Sequence, residues 1–191
     1  MKKFLYLSIL PLLLMMNCGP VEENQQEETQ QSMNKAQDID AEKRIQELGI
    51  ELVIPNPPTA NYLKAKRAGN IVYLAGHGPD KPDGTQVIGR LGEDMQVEGG
   101  YDAARYTGIS LLSSLKAEIG DLNKVKSIVK AQGMVNAHPT FKQHSQVING
   151  FSDLMVEVFG EKGKHARAAI GMSSLPNNIA VEIDMIVELE E

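Results

Sequence analysis

The chain has 191 residues, a formal net charge of −6, 42% hydrophobic residues and 5% aromatic residues. That length and apolar content suffice for one domain with a real core. The acidic balance argues against a phosphate-binding surface, which calls for a basic stripe, and the single cysteine excludes an intrachain disulfide.

The chain opens on "MKK", a basic start, followed by the apolar run "FLYLSILPLLLMM". The run is too short to span a bilayer as a helix and has the pattern of an export signal. It ends in "LMMNC", so Cys18 sits where a bacterial lipoprotein is cleaved and lipidated, although Met15 and Asn17 fit the usual small-residue pattern poorly. Residues 1–18 are therefore expected to be a lipoprotein signal. Ordinary secretion and an uncleaved N-terminus are the alternatives. The expected address is the cell envelope of a bacterium, with the membrane reached through the lipid anchor alone. Residues 19–40, rich in Gln and Glu, cannot bury enough apolar surface to order and are expected to be a polar linker.

Residues 41–191 carry the fold. "AEKRIQEL" predicts a short helix stopped by Gly49, and "IPNPPTAN" cannot be regular structure because its prolines remove donors and fix φ. "YLKAKRAG" and "NIVYLAG" predict two strands around a turn at Gly69-Asn70. "HGPDKPDG" is a loop, and "TQVIGRLG" predicts a short third strand. From Val97 the period changes. Tyr101, Ala104, Gly108, Leu111, Leu115 and Ile119 make one helical stripe, with Gly108 expected to permit close approach of helix to sheet. "KVKSIVKAQGMV" predicts a strand, and "FKQHSQVINGFSDLMVEVFG" a second helix burying Val147, Phe151, Leu154 and Val158, with Gly160 past its end. "ARAAIGMSSL" and "NIAVEIDMIVEL" predict two last strands joined through Pro176-Asn177-Asn178. In the final strand Ile179, Val181, Ile183, Met185, Val187 and Leu189 alternate toward the helices, while Ala180, Glu182, Asp184, Ile186 and Glu188 take the other face. The expected fold class is a two-layer α+β domain, a mixed sheet with two helices on one face. The other face, mixing acid with apolar residues, must be either solvated or covered by another subunit.

The residue types leave the chemistry open at several positions. Arg167, in "HARAAIGMSSLP", is costly to bury alone and calls either for an inter-subunit ion pair or for an anionic ligand. His77, His138, His144 and His165 show no ligand spacing with one another or with Cys18, so no metal site is expected. There is no Ser-His-Asp signature, phosphate-binding glycine loop or nucleotide fingerprint.

Three blocks in matching order carry a resemblance over nearly the whole of residues 41–191. "NYLKAKRAGNIVYLAGHGP", "VINGFSDLMVEVFG" and "HARAAIGMSSLPNNIAVEIDMI" resemble the Rid/YjgF family of imine/enamine deaminases. The resemblance implies a chorismate-mutase-like fold assembled as a homotrimer, with the sheets forming a central barrel and clefts between subunits. It implies hydrolysis of 2-imino acids, the tautomers of enamines such as 2-aminoacrylate, to 2-keto acids and ammonia, without a metal or organic cofactor. Arg167 then corresponds to the carboxylate anchor, and Glu182 to the carboxyl group that acts on water; the alternative for Glu182 is an exposed strand glutamate. A hairpin turning near Asn177 is expected to bring these two together. Ala169 corresponds to a position whose main chain contacts substrate. Tyr62 corresponds to an aromatic residue that closes the cleft or packs the interface, Gly76 to a glycine beside the cleft, and Asn149 to an asparagine that orders the surroundings. Two departures stand out. Ala168 replaces the Ser or Thr usual after the arginine, and His77 replaces a glutamine, as a plain loop histidine or as a titratable group at the pocket mouth. A trimer that binds small carboxylates without catalysis is the alternative function. Endoribonuclease activity ranks behind both, because the acidic balance and few aromatics oppose nucleic-acid binding.

Overall fold

Asp40 opens helix α1 (Ala41–Glu47) by accepting a hydrogen bond from the Lys43 N–H at 3.0 Å, and Gly49, at φ 64, closes it. A computed structural model of the chain describes residues 39–53, 55, 57–58 and 60–191. The leader, Cys18 and the linker as far as residue 38 lie outside the described residues. Strands β1 (Ala65–Ala68) and β2 (Ile71–His77) form a hairpin whose two-residue turn places Gly69 at φ 64, a backbone angle glycine adopts without penalty. Helices α2 (Val97–Ile119) and α3 (His144–Phe159) follow the predicted stripes, and strands β3 (Val125–Asn136), β4 (Ala166–Met172) and β5 (Val181–Leu189) complete a five-stranded sheet.

The sheet order is β1-β2-β5-β3-β4, with β3 and β4 parallel and every other pair antiparallel. This corrects the expected hairpin between the last two strands. Strand β5 inserts between β2 and β3, and β4 pairs only with β3, at the sheet edge. The predicted third strand is also corrected. Residues 85–92 form only isolated bridges, Ile88 to Ile179 and Leu91 to Ala137 among them, because Gly89 at φ 140 and Gly92 at φ 80 break the extended run. The first strand begins at Ala65, so Tyr62 lies in the loop before it.

Both long helices pack on one face of the sheet. Val181, Ile183, Met185 and Val187 of β5 are almost wholly buried beneath them, alongside Leu111, Leu115, Phe151 and Leu154. Burial on this scale supplies the main drive for folding, at about 25 cal/mol per Å² of apolar surface. Gly108 serves a contact other than the one expected: a Cβ there would meet Leu154 Cδ2 at 2.8 Å and Phe151 at 3.3 Å, both on α3. Gly150 answers it from α3, where a Cβ would collide with the Tyr101 carbonyl oxygen. The two glycines thus bring helix against helix. The opposite face of the sheet is uncovered by any described residue. It exposes Tyr73, Ile170 and half-buried Ile186 beside Glu182 and Asp184.

Candidate functional site

Arg167 points from edge strand β4 onto the helix layer. In register it stands beside Ala131, which stands beside Met185, and both neighbours are buried under the helices. Its guanidinium meets one face of α3: Nη1 donates to Asn149 Oδ1 at 3.0 Å and to Ser152 Oγ at 2.9 Å, and Nη2 donates to the Ser145 carbonyl at 3.4 Å. All three acceptors are neutral, and among the described residues no carboxylate pairs with Arg167. A guanidinium has five N–H donors, so Nε and one Nη2 hydrogen remain without a described protein acceptor. Arg167 lines a shallow pocket of about 270 Å³ with Ser152, Val156, Lys164 and His165.

The helix spacing explains the cluster. Asn149 and Ser152 are one turn apart on α3 and share a face. Asn149 is therefore joined directly to Arg167. Ser152 and His165 were not singled out by sequence reasoning. The signal for Ser152 was its three-residue step from Asn149; for His165 it was the two-residue step to Arg167, which places both on one side of an extended segment. His165 donates from Nδ1 to the Gly163 carbonyl at 2.7 Å and faces Ser152 Oγ at 3.1 Å through Nε2. Burial, and to a lesser degree the Arg167 charge, hold its pKa below the ordinary value of 6.5.

Glu182 belongs to the other face. It pairs in register with Met134, which pairs with exposed Ile170. Its carboxylate lies over Gly76, where any Cβ would collide with it. A side chain at 76 would have to displace the Glu182 carboxylate, which ties Gly76 to Glu182 in one half-site. A bulge shapes the spot: Ala75 and Gly76 together stand opposite Asp184, between the Leu74–Met185 and His77–Ile183 pairs. Glu182 is half-buried and accepts no hydrogen bond from a described residue. Burial first, and the neighbouring Asp184 carboxylate second, raise its pKa above 4.5. Asp184 is itself raised above 3.8 by burial, against a lowering pull from Lys130.

The structure thus brings Arg167 and Asn149 together, and Gly76 and Glu182 together, but the two pairs occupy opposite faces of one sheet. Ala169 faces the helices beside Arg167, half-buried and paired with Gly133; one side of its edge strand has no strand partner among the described residues. Tyr62 is 48% exposed in its loop. His77 is neither at a pocket mouth nor in an open loop. It is 4% exposed, donates from Nδ1 to the Ala75 carbonyl at 2.7 Å and accepts from Ser114 Oγ at 2.7 Å through Nε2. Among the described residues no three His, Cys, Asp or Glu side chains converge on a metal position. A larger cavity of about 450 Å³, between residues 48–53, the 80–82 loop and α2, holds none of the residues expected at the site.

A profile described as YjgF/chorismate mutase-like, and provisionally as endoribonuclease, matches residues 42–189. The chain belongs to the YjgF/chorismate mutase-like family. Protein TCP17 of Trypanosoma cruzi is 40% identical over 146 residues, covering 76% of this chain and 91% of that protein. The crystal structure of the protein Atu1372 from Agrobacterium tumefaciens, of unknown function, is 40% identical with a TM-score of 0.73, covering 82% of this chain and 97% of its own. A crystal structure from Shewanella oneidensis, provisionally named an endoribonuclease, is 30% identical with a TM-score of 0.75, covering 78% and 99%. The YjgF assignment agrees with the mixed sheet and helix layer described above.

Proposed function

We propose that this protein hydrolyses 2-imino acids to 2-keto acids and ammonia in clefts between copies of itself. The observation that carries the reading is Arg167: a half-buried guanidinium steadied by three neutral acceptors, with N–H donors left for a carboxylate. Its separation from Glu182 supports an assembly in which the β4 edge of one copy meets the Gly76–Glu182 face of the next. The homotrimer implied by the family resemblance is the arrangement we propose, with the uncovered sheet face turned inward.

In this reading the imine's carboxylate binds Arg167 side by side with the Ala169 main chain. Glu182 of the adjoining copy, ionised, takes a proton from water as its oxygen attacks the imine carbon. With the imine entering protonated at nitrogen, attack gives a neutral carbinolamine. Glu182 returns its proton to that nitrogen, then accepts the hydroxyl proton as the carbonyl forms and the C–N bond breaks. The keto acid and ammonia leave, the last proton passing from Glu182 to ammonia as ammonium. One water is consumed for each imine, and no step draws on a cofactor. Tyr62 would close the cleft from the neighbouring loop. Lipidation of Cys18, holding the assembly at a cell-envelope membrane, is part of the same proposal; labelling with a radioactive fatty acid should mark the wild type and not Cys18→Ser.

The test generates imines in situ from several parent amino acids with an amino-acid oxidase and follows ammonia and keto acid. The full chain should accelerate hydrolysis, and Arg167→Ala should abolish the acceleration. Keto-acid binding with no rate enhancement for any imine would leave a carboxylate-binding protein and defeat the deaminase reading.

A further inference from the structure

The hydrogen bonds behind Arg167 assign every proton in a short relay. The Gly163 carbonyl can only accept, so the 2.7 Å bond to His165 places the ring proton on Nδ1. In the neutral ring, the form that burial favours, Nε2 is then an acceptor, and the Ser152 hydroxyl at 3.1 Å donates to it. Arg167 can only donate, so Ser152 Oγ receives Nη1–H at 2.9 Å. The imidazole is held at its far side by fully buried Phe151, ring centres 5.3 Å apart and planes at 72°.

The same molecule shows what a helical serine does without such a partner. Ser110 and Ser113 of α2 turn their hydroxyls back to the carbonyls of Tyr106 and Ile109, at 3.2 and 3.0 Å. Ser152 is diverted from that habit because His165 takes its proton, which leaves an oxygen lone pair aimed at the guanidinium. With Asn149 on the adjacent turn, Nη1 is then fully engaged, and the guanidinium plane is fixed from one helix face.

We infer that Ser152 and His165 act as a positioning pair that sets the orientation of Arg167 and thereby the affinity for a ligand carboxylate. The inference rests on Arg167 being the carboxylate anchor. Neither residue need touch the reacting atoms, so their removal should act on binding and spare the chemical step.

The experiment uses the full chain and four variants: Ser152→Ala, Ser152→Thr, His165→Phe, which keeps a ring against Phe151, and the double variant Ser152→Ala/His165→Phe. Three quantities are read: the Kd of 2-oxobutanoate by calorimetry, KM and kcat for imine hydrolysis, and guanidinium rotation at Arg167 by nitrogen-15 NMR. Ser152→Ala and His165→Phe should each raise Kd and KM by about tenfold, with kcat nearly unchanged. Both should speed guanidinium rotation. Ser152→Thr, which keeps the hydroxyl, should behave as wild type. The double variant should be no worse than Ser152→Ala alone, since both changes cut one relay. Unchanged guanidinium rotation in His165→Phe, or additive losses, would overturn the inference. Wild-type binding of 2-oxobutanoate by Arg167→Ala would instead overturn the anchor reading, and the rotation measurement would still decide whether the pair positions the arginine.

Discussion

Arg167 and Glu182 project from opposite faces of one sheet: the arginine lies against α3, and the glutamate lies over Gly76 on the uncovered side. No side-chain rotation within a protomer joins them, because the sheet itself stands between. A site using both must draw them from two copies. Arg167→Ala and Glu182→Gln, each inactive alone, should therefore complement when unfolded together and refolded. Random mixing should recover about one quarter of wild-type activity, the share of interfaces at which each neighbour brings its intact half. An inactive mixture that nevertheless contains mixed oligomers, shown by native mass spectrometry, would rule out the shared cleft.

The raised pKa of Glu182 sets both an activity limb and a stability effect. Ionised Glu182 is the form that takes a proton from water, so the acidic limb of kcat/KM should lie above the ordinary glutamate value of 4.5. Asp184→Asn removes a charge that helps to raise it and should shift the limb to lower pH. For stability, the folded pKa lies above the unfolded one, so the fold disfavours the ionised group. That penalty is present above the folded pKa and fades as pH falls through it. Glu182→Gln should accordingly be more stable than wild type at pH 7 by denaturant titration, with the difference closing below pH 4.5.

His77 behaves in the opposite sense. Burial depresses its pKa below 6.5, outweighing the Ala75 carbonyl that accepts from the ring and the more distant Asp80 carboxylate, both of which favour the charged form. The unfolded chain therefore takes up the proton first, and folding free energy falls as pH drops below 6.5. His77→Gln can reach both Ala75 and Ser114 without titrating. Its denaturation midpoint should fall less between pH 7 and pH 5.5 than that of wild type. His165, shifted the same way, keeps part of the slope in both proteins. Equal slopes would show that His77 is not the group being protonated.

The helix pair offers a test that does not touch the site. In Gly150→Ala the added methyl would strike the Tyr101 carbonyl, a backbone atom that cannot rotate away. Alanine's better helix propensity offsets only about 1 kcal/mol of this. A net loss of about 2 kcal/mol is expected, read as a lower urea midpoint with an unchanged m-value. Gly49→Ala offers a comparison: its positive φ strains any side chain, yet no atom stands within 4 Å of the new methyl.

The local periods were legible in the sequence because they depend on neighbours a few residues apart. The helical step through Ala104, Leu111 and Leu115, the alternation from Val181 to Leu189 and the turn at Gly69 all reflect burial and backbone preference along the chain itself. Family resemblance then marked Arg167 and Glu182 as a pair. What only the tertiary structure decided was which strands lie side by side. Hydrogen bonds between strands carry no residue code, so nothing in "ARAAIGM" or "AVEIDMI" declares that β3 separates them. That one placement puts arginine and glutamate on opposite faces and joins His165 and Ser152 to the arginine. It likewise took the packing of α2 on α3 to show that Gly108 and Gly150 serve each other's helix, because close approach is a property of two surfaces and a glycine's own neighbours in sequence do not record it.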